Sequence, residues 1–164
     1  MPPPGNGAST VRTLSVDGVG EFSLVRTTGR SRRFPWKRFE NFEWIGHTAS
    51  GAEISLDYTA STNDPEDYVL DRMRRMLAMI PEIRNQVAER TWEAAKEWAD
   101  EAPASQEAFA ALLKFDGANY LRDNEPSGDI LQVYFTTGEE IFGDHSIQSD
   151  IDPDGRVLSA RLVG

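Results

Sequence analysis

The sequence predicts an α+β fold, with two antiparallel β segments of about four strands each flanking a central helical section of two to three helices. Three observations point there. Residues 10–59 and 117–163 are short β-branched and aromatic runs separated by Gly, Pro and Asp turn signals. Between them the apolar spacing changes to three and four residues, the period of a helix. The chain has 164 residues, 39% of them hydrophobic, enough for one core without staples.

Residues 1–9 are proline- and glycine-rich and read as a disordered tail, leaving 10–164 as a single α+β domain. Residues 10–16 (TVRTLSV) and 21–27 (EFSLVRT) flank the turn signal DGVG and form a hairpin. FEWIGHT (42–48) and EISLDYT (53–59) flank ASGA as a second, with Phe42 and Trp44 alternating against Glu43 and Ile45. Asp64-Pro65-Glu66-Asp67 then supplies an N-cap, a first-turn proline and acids suited to a helix N-terminus. Leu70, Met73, Leu77 and Ile80 continue as one apolar helix face, with Met73, Met76 and Met79 as core filling. Pro81 kinks or restarts that helix, because its ring clashes with a preceding carbonyl. Ile83, Val87, Trp92, Ala95 and Trp98 carry it to about Asp100, both tryptophans reading as core. Ser105 caps a shorter helix bearing Phe109, Leu112 and Leu113. Strands return from Gly117: ANYLR, DILQVYFT (129–136), EIFGDHSIQSDI (140–151) and RVLSARLV (156–163), with turns at PSG, TTG and DPDG. The central helices could cover one sheet or pack between two small ones.

Composition excludes several classes. With no cysteine there is no disulfide, thiolate nucleophile or cysteine metal site. The N-terminus lacks a signal-peptide pattern and no apolar run could span a membrane, so a cytoplasmic protein without a membrane partner is expected. A net charge of −10 opposes non-specific nucleic-acid binding. That charge is uneven: residues 1–61 carry +1, residues 62–126 carry −6 and residues 127–164 carry −5.

Ser149–Arg156 (SDIDPDGR) spells D-x-D-x-D-G, the first half of a calcium-binding loop. Position 12 of such a loop must be a bidentate glutamate and here is Arg161, position 4 is Pro153, and both flanks are strand-like. The segment therefore reads as a hairpin turn, with Pro153 fixing φ and Gly155 supplying positive φ. In that register Ile147 and Ile151 face away from Leu158, Ala160 and Leu162, which requires a bulge or two covered faces.

Three constellations remain. His145, beside Asp144 and Ser146, is a weak catalytic or metal-ligating candidate with Asp144, Glu139 or His47 as partners; otherwise its ring packs at the sheet and hydrogen-bonds backbone. Residues 26–38 hold six cations and no acid, with Phe34 and Trp36 interleaved. Arg30, Arg32, Arg33, Trp36, Lys37 and Arg38 form either an anion- or partner-binding segment or a loop paired with the protein's own acidic helices. Glu89, Glu93, Glu97, Asp100 and Glu101 form either a solvated face or a surface for a basic partner. There is no glycine-rich phosphate loop, H-E-x-x-H or serine elbow, so no metal or cofactor is expected.

The run GRSRRFPWKRFENFEWIGHTASGAEISLD and the ending EEIFGDHSIQSDIDPDGRVLSARLVG resemble a bacterial family, domain of unknown function 2262. Phe39, Trp44 and Gly46 match its first motif, with Asn41 in place of a glycine. Phe142, His145 and Ile147 match the second, with Asp144 before the histidine, and Leu162 and Gly164 match its end. The resemblance covers about residues 20–164; it implies an α+β fold and brings no established activity. The leading expectation is a non-enzymatic protein-binding domain, of immunity type, that neutralises a basic partner. The alternatives are a hydrolase or metal-dependent enzyme using His145 with nearby carboxylates, and an anion- or ligand-binding protein using Arg30–Arg38.

Overall fold

The computed structural model describes residues 7–34, 36–57, 61–138 and 141–164, and the described residues contain eight strands and three helices. They run β1 (Gly7–Val16), β2 (Gly20–Arg30), β3 (Arg38–His47), β4 (Glu53–Asp57), α1 (Asp67–Ala78), α2 (Ile80–Trp98) and α3 (Gln106–Leu112). β5 (Lys114–Leu121), β6 (Ile130–Thr136), β7 (Ser146–Ile151) and β8 (Val157–Val163) follow, with a 3₁₀ turn at Pro126–Gly128. The strands form a single sheet in sequence order. Every pairing is antiparallel except β4–β5, which is parallel because the helical section carries the chain back across the sheet. The α+β class holds, and the arrangement of helices between two separate sheets does not.

Alternation along the strands builds the core. Leu24, Trp44, Leu56, Tyr120, Leu131 and Ile151 are successive register partners across six strands, and all are buried. Met73, Ile83, Val87 and Phe109 of the helices join the same cluster. Each such side chain contributes roughly 1.5–3 kcal/mol by leaving water. In the next rung Gly46 lies under the Phe22 ring, where an added Cβ would come within 2.8 Å of ring carbons. Packing thus explains that glycine.

Local chemistry sets the boundaries. Pro81 does restart the helix: α1 ends at Ala78 and α2 begins at Ile80, with Met79 as the joint. Ser105 caps α3 through its side-chain oxygen, which accepts from the Ala108 N–H at 3.1 Å. The DPDG segment is the β7–β8 turn, in which the Asp152 carboxylate accepts from the backbone N–H groups of Asp154 (3.0 Å) and Arg156 (2.9 Å). The facing conflict in this hairpin resolves as a bulge between Asp150 and Ile151: Ile151 pairs with Val157, which is buried, and Leu158 is left exposed.

Several boundaries differ from expectation. Asp64 does not cap α1: Glu66 holds the N-cap position, without a side-chain cap bond, and Asp64 forms an ion pair with Arg12 at 2.7 Å. The buried face of α1 is Val69, Met73 and Met76, rotated by one residue from the one read off the spacing, and Leu70 and Leu77 lie at its margin. Ile141–Asp144 forms a turn and β7 begins only at Ser146. Trp98 is 48% exposed at the end of α2, whereas Trp92 packs against the core. Residues 7–9 of the expected tail belong to β1, paired with Arg26–Thr28; residues 1–6 lie outside the described part.

Candidate functional site

β2 and β3 are longer than the helix layer beneath them. Phe22 and Leu24 face the core, and the same face of β2 continues outward as Arg26, Thr28 and Arg30. Opposite them on β3 stand Phe42, Glu40 and Arg38. From Leu24 to Arg30 the strand extends about 20 Å at ~3.4 Å per residue. The first seven residues of β1 and the first four of β3 are exposed, so the three strands form an arm projecting from the core.

The arm ends in residues 31–37. Ser31 N donates to the Lys37 carbonyl (2.9 Å), and Lys37 N donates to the Phe34 carbonyl (2.8 Å), folding this tip back on itself. Phe34 sits edge-on to Trp36 at 5.5 Å, with Arg33 and Lys37 over its ring at 5.5 and 5.0 Å. Trp36 is 75% exposed, and Phe39 at the start of β3 is exposed as well. A cavity of about 520 Å³ is lined by Arg26, Thr28, Arg30, Arg38, Phe39 and Glu40.

Charge on the arm is almost uncompensated. Arg26 pairs with Glu40 in the same hairpin. Among the described residues, Arg30, Arg32, Arg33, Lys37 and Arg38 form no ion pair. Arg30 and Arg38 stand directly opposite one another on adjacent strands, an arrangement that costs stability unless an anion neutralises it. The loop therefore does not pair with the protein's own acidic helices.

The other candidates scatter. The His145 ring lies edge-on to Trp98 at 5.3 Å, and its Nδ1 is 3.2 Å from the Phe142 carbonyl. It is the packed, backbone-bonded histidine, and exposed Asp144 forms no bond to it. Glu139 lies outside the described residues. His47 is exposed, with Nε2 3.7 Å from a Glu53 oxygen. Between β3 and β7 are four strand intervals, about 19 Å, so the two histidines do not share a site. His47 and Arg38 occupy opposite ends of β3. Among the described residues no group of three or more His, Asp or Glu could hold a metal ion. No helix there is long and apolar enough to cross a membrane.

Glu89, Glu93 and Glu97 form an exposed row at four-residue spacing on α2, continued by exposed Asp100 and Glu101. Of these only Glu93 has an ion-pair partner, Lys96 on the same helix at 2.7 Å.

One polar cluster escaped sequence reasoning. The fully buried Asp129 carboxylate accepts from Tyr120 OH (2.5 Å), Arg72 Nη1 (2.9 Å) and the Asp123 N–H (2.9 Å). Arg72 also donates to the Pro126 carbonyl at 2.6 Å, tying α1 to the β5–β6 connection. Burial, reinforced by the hydrogen bond to Asp129, pushes the Tyr120 phenol well above the usual tyrosine range. Desolvation works to lower the Arg72 pKa, but its bond to Tyr120 and the Asp129 charge turn the net direction upward. Both Asp129 oxygens and the Tyr120 hydroxyl are used within the chain, which marks a clamp. No family model, no curated protein and no solved structure matches this chain.

Proposed function

We propose that this chain is a non-enzymatic protein-binding domain whose recognition element is the β2–β3 arm, docking on an acidic surface of another protein. The observation that carries this reading is the tip itself: five cations without intramolecular ion pairs, interleaved with exposed Phe34, Trp36 and Phe39. Aromatic and arginine side chains are the residue types that dominate binding energy at protein interfaces. A nucleic acid would meet the same cations but also the long-range repulsion of a −10 chain. The scattered histidines offer hydrolytic chemistry no assembled base and ligand set.

The test uses the full chain as bait in an extract of its host. Wild type should retain one partner in stoichiometric amount, and both Arg32→Glu/Arg33→Glu and Trp36→Ala should lose it. An unchanged captured set would remove the arm from the reading.

The exposed row on α2 favours a second mode, in which an immunity-type domain neutralises a basic partner through Glu89, Glu93 and Glu97. Reversing those three charges should then abolish capture while the arm variants leave it intact.

A further inference from the structure

At the opposite end of the sheet from the arm tip, a groove of about 710 Å³ opens between the β1–β2 turn, the β3–β4 turn and the α1–α2 joint. Its apolar lining is Val16, Val19, Leu77, Ile80 and Phe115, and Asp17, Thr48 and Ser50 complete its rim. Within this lining lies Arg84 of α2. Its Nε is buried and has no hydrogen-bond partner, and its guanidinium forms no ion pair among the described residues. The guanidinium therefore keeps donor capacity that no group of the chain uses. A cleft of this volume that combines an apolar wall with a few polar groups, Arg84, Asp17, Thr48 and Ser50, has the composition of a small-molecule site.

We infer that this groove binds a small apolar monocarboxylate, its carboxylate on Arg84 and its hydrocarbon part on Val16, Val19, Leu77, Ile80 and Phe115. The planar guanidinium fork matches a carboxylate. Asp17 shares the lining, and its carboxylate is committed to no partner among the described residues. With one cation and one anion in the groove, a phosphate dianion is opposed while a single negative charge anchored on Arg84 is accepted. The arm takes no part, since β2 spans about 34 Å from Gly20 beside the groove to Arg30 at the tip.

The experiment titrates decanoate, decanol and inorganic phosphate into the full chain, followed by calorimetry and amide chemical shifts. Decanoate should bind saturably at micromolar to millimolar concentration and shift the amides of residues 17–20 and 48–52. Decanol and phosphate should bind at least about tenfold more weakly. Arg84→Met should weaken decanoate at least about tenfold without lowering the unfolding midpoint, because Arg84 gives up no bond within the chain. Arg32→Glu/Arg33→Glu should leave decanoate affinity unchanged even where it abolishes partner capture, which separates this site from the arm. Equal binding of decanol, unchanged affinity in Arg84→Met, or no saturable binding at millimolar decanoate overturns the inference. So does a loss of stability in Arg84→Met, which would make the guanidinium a structural group, or a loss of decanoate binding in the arm variant.

Discussion

Replacing Asp129 by asparagine keeps the side-chain volume and removes one of two acceptor oxygens. In the native cluster Oδ2 accepts from Tyr120 and Arg72 while Oδ1 accepts from the Asp123 N–H. An asparagine cannot serve both sides. With its oxygen toward Arg72 its NH₂ meets the Asp123 N–H; flipped, it meets two donors. At least one donor is stranded in either orientation, at roughly 1–3 kcal/mol. Arg72, with a side chain only 16% exposed, also loses its counter-charge. Removing one partner of a buried pair outright costs about 3–5 kcal/mol, and the surviving acceptor places Asp129→Asn near 3 kcal/mol. For a chain of this length that lowers Tm by about 6–12 °C. Urea unfolding followed by tryptophan fluorescence should show a lower midpoint at unchanged slope. Adding Arg72→Met to Asp129→Asn should cost at least about 1 kcal/mol less than the sum of the single effects, since the stranded cation is then gone. A loss below about 1 kcal/mol for Asp129→Asn, or strict additivity, would refute the reading of this cluster as a coupled clamp.

The raised Tyr120 pKa means that the fold favours the protonated phenol. Its contribution is complete below the ordinary tyrosine value near 10 and is lost as pH rises past it, so stability should fall more steeply above about pH 10 in wild type than in Tyr120→Phe; parallel curves would exclude this linkage. Ser105→Ala removes the α3 cap and should cost about 1 kcal/mol in denaturant titration, an effect that Ser105→Asp should largely avoid. Gly155 has φ +85° and a Cβ there would come within 2.3 Å of the Met79 methyl, so Gly155→Ala should cost about 1–3 kcal/mol; a neutral result would mean the turn relaxes freely.

Features written within a few residues were legible. Pro81 as a helix restart, Ser105 as a cap and Asp152–Gly155 as a turn depend on backbone chemistry that is local. The facing conflict between Ile151 and Leu158 left a bulge or two covered faces open, and the structure has the bulge. The cations of residues 30–38 were visible as a composition anomaly, but their lack of partners was not. That depends on how far β2 and β3 outrun the helices, a length no local pattern records. Arg72 and Asp129 are 57 residues apart, and nothing near either announces the other. Nothing near Arg84 in the sequence sets it apart, since the two turns that share its groove join β1 to β2 and β3 to β4. Trp98 misled in the opposite direction: its spacing suits the core face, but α2 ends there and leaves the ring half in solvent beside His145.

The lone parallel pairing has a kinetic meaning. Six of the seven strand junctions join neighbours through short connections and can form as local hairpins, whereas β4 and β5 meet only after the helical section has closed behind them. Ser55 and Asn119, hydrogen-bonded across that seam at 2.8 Å, are 64 residues apart. Closing a loop of that size costs ~2 kcal/mol more chain entropy than closing a five-residue turn. The two four-stranded halves therefore resemble pages assembled separately and bound last along one spine. Substitutions at that spine, such as at Ile54 or Ala118, will slow refolding more than equally destabilising ones at the outer strands.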